Sequence, residues 1–230
     1  MKNEEIHAEW PASDPEGRPV NFTSQEPRPR PDEFLPVLER DHVRLEPMRE
    51  DHLDALCEIG LDPEITRLMP NRLTTRDHMA GYIRDALAAR QALSAIPFVT
   101  VLTAERSRPR IVGTTRFLNI DSKNRRMEIG ATWIGRQWQR TRVNTEAKYL
   151  MLRHAFETVT CIRVELKTDS LNERSRRAIL RIGAVEEGVL RNAVITAEGR
   201  IRHTVLFSIA AFEWPDVKLR LEGMLRLHQP

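Results

Sequence analysis

Three groups of residues have the types and spacing to do chemistry. In QWQRTRVNTEAK, running from Gln137 to Lys148, a helix begins near Val143, and Arg140 and Arg142 stand in the turn leading into it. A helix start presents unpaired N–H groups and the positive end of the helix dipole. Guanidinium groups add charge-assisted, often bidentate bonds to oxyanions. The turn therefore suits a phosphate or pyrophosphate. Arg142 has a second reading, as an i,i+4 partner of Glu146 worth about 0.3–0.5 kcal/mol. A cation in a first helical turn opposes the dipole by about 0.3–1 kcal/mol, so the two terms nearly cancel and an external anion explains Arg142 better.

The second group lies on neighbouring strands. Glu128, Gly130 and Thr132 alternate onto one face of MEIGATWIG, and Arg163, Glu165 and Lys167 onto one face of IRVELKT. Central strands are normally apolar on both faces, so polar faces here look into a site; a solvated sheet face explains the pattern equally well. The third group is Asn172, placed to cap a helix, with Ser175 nearby on the same helix, where it also reads as a solvated residue. His154 falls on an apolar helical side and reads as a core histidine, and Trp138 and Trp214 read as packing residues.

The elements that must position these groups follow from periodicity. HVRLEPM alternates as a strand; Leu53, Leu56 and Ile59 share one helical face, as do Met79, Ile83 and Leu87. IPFVTVLTA and RIVGTTRFLNI are strands joined by a turn in ERSRPR, and DSKNRR turns into MEIGATWIG. A helix carries Val143, Ala147, Leu150, Met151, His154 and Ala155 at spacings of three and four. NERSRRAILRIG is a helix with Gly183 as its C-cap, GVLRNAVI and RIRHTVLFSIA are strands, and WPDVKLRLEGMLRL is a helix with Pro215 in its first turn. This order is mixed α/β with hairpins and argues against a strictly alternating βαβ fold.

Half of the 14 prolines precede Val37, among Glu, Arg, Ser and Asp. Such a segment buries too little apolar surface to offset its ordering entropy, so residues 1–33 are expected to be an extended or disordered arm and residues 34–230 one folded domain starting at Phe34. Cys57 and Cys161 sit in apolar-periodic segments and suggest neither a disulfide framework nor a metal cluster, which predicts a reducing, cytoplasmic setting. No apolar stretch resembles a signal peptide, and ALSAIPFVTVL is too short to span a bilayer. A net charge of +3 with a pI near 9.1 raises nucleic acid as a partner, but basic and acidic residues interleave, as in RLEPMREDH, which describes a solvated face.

Two segments in order carry a family resemblance. The stretch from Gln137 resembles the pyrophosphate loop Q-x-x-G-x-G/A of the GCN5-related N-acetyltransferases (GNAT), with both glycine places taken by Arg140 and Arg142. DSLNERSRRAILRIGAVEEGVLRN resembles their next motif through Asn172, Ser175, Gly183, Gly188 and Arg191. The run from His42 to Leu221, roughly four fifths of the chain, resembles the RimJ/RimL branch of that superfamily.

The resemblance implies a GNAT acyl-CoA N-acyltransferase fold: a central mixed, mostly antiparallel sheet flanked by helices, with fourth and fifth strands (MEIGATWIG and IRVELKT) splayed to admit acetyl-CoA. It implies acetyl transfer to a primary amine by direct attack, with acetyl-CoA as co-substrate and no metal. Cofactor contacts are expected from Trp133, Ile134, Gln137, Gln139, Arg140, Thr141, Arg142, Val143, Asn144, Asn172 and Ser175. The amine needs a base, for which Glu128 is the first candidate and Glu165 the second. Backbone N–H groups near Trp133 and Ile134 would stabilise the oxyanion. Ser175 would face the CoA sulfur, because the family's alternative tyrosine place holds Ile179. The expected partners are acetyl-CoA and an amine acceptor, with a second copy of the chain as a further candidate and no membrane. Two other readings stand beside this one: a CoA-binding sensor that lost turnover with its loop glycines, and a basic nucleic-acid-binding module.

Overall fold

Runs of β-branched and apolar residues between turns build the strands, and apolar residues at spacings of three and four build the helices that cover them. The computed structural model describes residues 13–15, 36–103 and 109–227. The arm expected over residues 1–33 lies outside these except for 13–15, as do Phe34 and residues 105–108 of the ERSRPR turn. Along the described chain run β1 (Leu38–Glu39), β2 (Val43–Pro47), α1 (Leu53–Gly60), α2 (Pro63–Thr66), α3 (Arg76–Gln91), β3 (Ala95–Leu102), β4 (Arg110–Asp121) and β5 (Arg126–Ile134). Then follow α4 (Val143–Arg153), β6 (Arg163–Asp169), α5 (Glu173–Arg181), β7 (Val185–Ile195), β8 (Ile201–Ala210) and α6 (Trp214–Arg226).

The strands form one sheet in the order β1-β2-β3-β4-β5-β6-β8-β7. Neighbours are antiparallel except β5 and β6, which run parallel. This is the mixed, mostly antiparallel sheet with flanking helices that the resemblance implies. Counting the two-residue β1, the expected fourth and fifth strands are β5 and β6.

Each sheet face has its own core. On one face Phe117, Met127, Ile129 and Phe207 pack with Leu150 and Met151 of α4 and Leu221 of α6. On the other, Val99 and Trp133 pack with Leu56 of α1 and with Met79 and Ile83 of α3. The Thr75 side chain caps α3 by accepting the His78 N–H at 3.1 Å. Gly183 closes α5 with φ +103°, and its N–H donates to the Leu180 carbonyl at 3.0 Å. A side chain there would meet Val217 Cγ2 of α6 at 3.0 Å, so that neighbour would have to give by a few tenths of an ångström.

Helix α4 is buried on almost every side, with Thr145 through Leu152 all inside. It continues into a π-helical turn, His154–Thr158. His154 packs 5.9 Å from the Phe117 ring centroid, and burial holds its pKa below the ordinary value. Trp214 stacks on Phe156 at 5.4 Å and Trp138 packs against the larger core, as packing residues do.

Candidate active site

The cleft arises where two strands part. β5 and β6 pair only over Arg126–Arg163, Met127–Val164 and Glu128–Glu165. Beyond Glu165, β6 stays with β8 as far as Asp169–Thr204. β5 instead bulges: the register with β4 jumps between Arg116–Gly130 and Thr114–Trp133, so that Ala131 and Thr132 together oppose Thr115. Ala131 takes φ +48°, and its carbonyl accepts from the Tyr82 hydroxyl (3.2 Å) and Thr114 Oγ1 (3.3 Å). A bulge bends its strand and increases local twist. The gap widens into a cleft of about 1790 Å³ between β5, β6, the start of α4 and α5.

The bulge also corrects the alternation expected for Glu128, Gly130 and Thr132. Glu128 faces the α3 side, where its Oε2 accepts from Lys167 Nζ and Asn119 Nδ2, both at 2.8 Å. Thr132 is turned to the α4 side, bonding Thr115 Oγ1 at 2.7 Å and accepting from Lys148 Nζ at 2.8 Å. The extra residue in β5 resets the period-2 pattern, so the shared face stops at Gly130.

Glu128 and Glu165 have different surroundings. Glu128 lines the cleft. Among the described residues both of its hydrogen bonds fall on Oε2, and a Cβ at position 130 would sit 2.8 Å from Oε1, so the glycine leaves room beside that oxygen. Glu165 is not among the residues lining the cleft. It bonds Arg163 (3.1 Å) and Lys167 (3.1 Å), with Arg126 at 3.6 Å. Burial raises its pKa, but Lys167 and Arg163 outweigh this and hold it below the ordinary carboxylate value. Its place in the sheet is that of a counter-ion.

The turn before α4 is left-handed at one of its two arginines. Arg140 has φ +63°, is exposed and lines the cleft. A non-glycine residue in the left-handed region costs about 1–2 kcal/mol, the kind of outlier that points to function. Arg142 is different. Its φ is −64°, and its Nε donates to Glu146 Oε2 at 3.2 Å with the two side chains 12% and 0% exposed. Glu146 Oε1 in turn accepts the N–H groups of His42 (2.8 Å) and Val43 (3.1 Å). In the sequence this pairing looked too weak to explain Arg142. Burial and the two extra donors make it a staple between α4 and β2, and of the two arginines only Arg140 lines the cleft.

Gln139, Thr141 and Asn144 line the cleft with Arg140; Gln137, Arg142 and Val143 do not. Thr141 Oγ1 donates to the Trp138 carbonyl (2.7 Å) and accepts the Val143 N–H (3.3 Å), while the intrahelical ladder begins with Glu146 N–H to the Arg142 carbonyl at 2.9 Å. Gln139 bridges the two walls: its Nε2 donates to the Ile134 carbonyl (2.9 Å) and its Oε1 accepts from Arg174 of α5 (2.7 Å). Asn172 Oδ1 caps α5 by accepting the Ser175 N–H at 3.0 Å, and both residues line the cleft.

Gly135 N–H donates to the Val112 carbonyl at 2.8 Å. Consecutive N–H groups of an extended strand point to opposite edges, so the Ile134 N–H turns from β4 toward the gap and the Trp133 N–H turns toward β4. The Ile134 carbonyl, bonded to Gln139 rather than β4, agrees with this direction.

Lys148, Arg116 and Arg202 also line the cleft, and the sequence did not single them out. Lys148 is 7% exposed, and burial pulls its pKa down to about 7. In α4, buried all round, helical spacing cannot tell which side an amine faces. In RIRHTVLF, amphipathic reading would put Ile201 inside and Arg202 outside; Ile201 is 55% exposed and Arg202 8%. No described helix is long and apolar enough to cross a membrane. Among the described residues no three His, Cys, Asp or Glu side chains gather as a metal centre would need.

A family model described as an acetyltransferase (GNAT) domain matches residues 42–185. The chain is 26% identical over 184 residues to the uncharacterized N-acetyltransferase p20 of Bacillus licheniformis, a match spanning 78% of this chain and 99% of that protein. A solved GCN5-related N-acetyltransferase from Brucella melitensis is 27% identical with a TM-score of 0.75, over 86% of this chain and 87% of that one. Mycobacterium smegmatis RimJ, solved in complex with CoA-disulfide, is 25% identical with a TM-score of 0.66, over 80% and 90% of the two chains. With the splayed sheet and the turn before α4, these matches show that the chain belongs to the GNAT acetyltransferase family, in its RimJ/RimL-like branch.

Proposed function

We propose that the chain transfers an acetyl group from acetyl-CoA to a primary amine by direct attack in a ternary complex. The observation that carries this reading is the gap between β5 and β6, with the left-handed Arg140 turn at one end and Glu128 at the other. The first turn of α4 and the Arg140 side chain would hold the pyrophosphate. The β5 edge beyond Glu128, released from β6, offers backbone groups to the pantetheine arm. The Ile134 N–H is the donor for the developing oxyanion. Glu128 takes the amine proton, directly or through a water, and Ser175 gives a proton to the departing sulfur.

The test is acetyl-CoA-dependent thiol release across a panel of primary amines, run beside thermal melting with acetyl-CoA. Turnover with an amine supports the reading. A ligand-induced rise in melting temperature without thiol release for any amine would overturn it in favour of a CoA-binding sensor.

Arg140→Gly relieves the left-handed strain and is expected to stabilise the fold by up to about 1 kcal/mol, part of the gain being offset by greater unfolded-chain freedom. It is also expected to weaken CoA binding about three- to tenfold while pantetheine, which lacks the pyrophosphate, binds as before. Calorimetric titration of both ligands checks this, and CoA affinity equal to or tighter than wild type would remove the Arg140 side chain from the ligand set.

Ser175→Ala is expected to lower kcat by about ten- to a hundredfold with acetyl-CoA affinity retained. The loss is modest because thiol pKa values near 8.5 make a thiolate a fair leaving group without help. An unchanged kcat would assign Ser175 to the helix surface.

A further inference from the structure

Among the described residues, the wall of the cleft on the Glu128 side holds one buried guanidinium that no carboxylate pairs within salt-bridge distance. Strand register sets which residues share this wall: Lys167 lies opposite Leu206 and Asp169 opposite Thr204, so Arg202 and Thr204 of β8 stand on the same face as Lys167, which bonds Glu128. The charges of Lys167 and Arg200 are met, the first by Glu128 and Glu165 and the second by Asp169. Among the described residues Arg202 has no such partner. It is 8% exposed, lines the cleft, and its Nε is buried without a hydrogen-bond partner. Burial lowers its pKa; Asp169 and Glu128 act on it through space in the opposite sense, with Arg200 adding to the burial effect. Arg116 of β4, opposite Gly130 of β5, is also 8% exposed and lines the cleft; it lies over the Tyr82 ring at 4.0 Å and donates to the Tyr82 carbonyl at 3.2 Å, and among the described residues its Nε has no hydrogen-bond partner.

A buried guanidinium is costly unless a counter-charge arrives, and its planar fork matches carboxylate and phosphate oxygens. The hairpin between β7 and β8 roofs this part of the cleft, with Ala197 N–H donating to the Pro70 carbonyl at 3.0 Å and Arg72 paired to Glu198 at 3.5 Å. The Arg140 turn lies at the start of α4, on the other side of the gap, so the CoA pyrophosphate does not account for Arg202. We propose that Arg202 forms an oxyanion subsite in the acceptor half of the cleft, so that the acceptor is an amine that also carries a carboxylate or phosphate. The proposal rests on the acetyl-transfer reading above and names its substrate class.

Two matched pairs test it: β-alanine against β-alaninamide for carboxylate, and O-phosphoethanolamine against ethanolamine for phosphate. In the wild-type protein kcat/KM is expected to favour the charged member of at least one pair by tenfold or more, and that pair identifies the anion. Arg202→Gln is expected to bring the two members of that pair to within threefold, and Arg202→Lys to keep part of the preference. No preference in the wild type, or a preference that survives in Arg202→Gln, overturns the subsite. Binding is read separately with CoA present at saturation, so that the turn before α4 is already filled, as the further melting-temperature rise produced by N-acetyl-β-alanine and by inorganic phosphate, expected in the wild type and absent in Arg202→Gln. If no amine is acetylated yet the Arg202-dependent rise is present, acetyl transfer fails and the anion subsite stands. If amines are acetylated without regard to charge, transfer stands and the subsite fails.

Discussion

Glu128→Gln is expected to lower kcat/KM for a lysine-like amine by roughly 10²- to 10⁴-fold, the range for loss of one positioned proton-transfer group, and to flatten the acidic limb of the pH–rate profile. An alkylammonium with a reference pKa near 10.4 must lose a proton before it can attack, whereas an α-amine near 8 is partly neutral already, so the loss should be smaller for an α-amino acceptor. The fold should tolerate the change. The amide keeps an oxygen that can accept from Lys167 and Asn119, and Lys167 retains Glu165 at 3.1 Å. Steady-state rates against pH for both amine types, with acetyl-CoA affinity measured alongside, separate a base from a structural carboxylate. If rate and pH profile are unchanged for every accepted amine, Glu128 belongs with Glu165 to the ion-pair network and not to the proton path.

Lys148→Met is expected to stabilise the protein by about 2–3 kcal/mol at pH 7 and to remove a pH dependence. Burial takes the Lys148 pKa from an ordinary 10.5 to about 7, and among the described residues no carboxylate pairs with it; its amine bonds Thr132 Oγ1 at 2.8 Å. Between those two values the unfolded chain binds the proton and the folded chain does not, so wild-type stability rises with pH across the window from about 7 to 10.5. Above the window both states are neutral and the penalty vanishes. Below it both are protonated, and the full cost of a buried ammonium is present. The gap corresponds to roughly 5 kcal/mol, of which about 4 is present at pH 7, where the folded-state amine is half neutral, and the lost hydrogen bond takes about 1–2 from it. Urea melts from pH 6 to 10.5 on both proteins check this, because other groups cancel in the difference between the curves. Parallel curves would mean that water or a shifted side chain solvates the amine.

Much of the architecture was legible because each element reports its own period. Met79 and Ile83 point inward from α3, Gly183 takes the left-handed cap of α5, and Asn172 caps the same helix, all from local chemistry that the chain carries wherever it folds. The family was legible for the same reason: Gln137, Asn172, Ser175 and Gly183 keep their order and spacing, and two arginines at glycine places do not erase it.

What tertiary structure decided are the facts that depend on residues distant in sequence. Arg142 looked like an anion ligand because the sequence could not show that Glu146 is wholly buried and receives the backbone N–H groups of His42 and Val43 from about a hundred residues away. The face of Thr132 was misread because the bulge at Ala131 lacks the glycine or asparagine that usually advertises positive φ; it is imposed by pairing with β4 and by the bonds of Tyr82 and Thr114 to the Ala131 carbonyl. Arg202 and Lys148 were missed because periodicity tells which residues share a face and not what lies across from that face. The amino-acid sequence by itself determined the elements, their order and the family. The packing of distant segments decided which polar side chains are counter-ions, which are left in the cleft, and which oxygen of Glu128 accepts from Lys167 and Asn119.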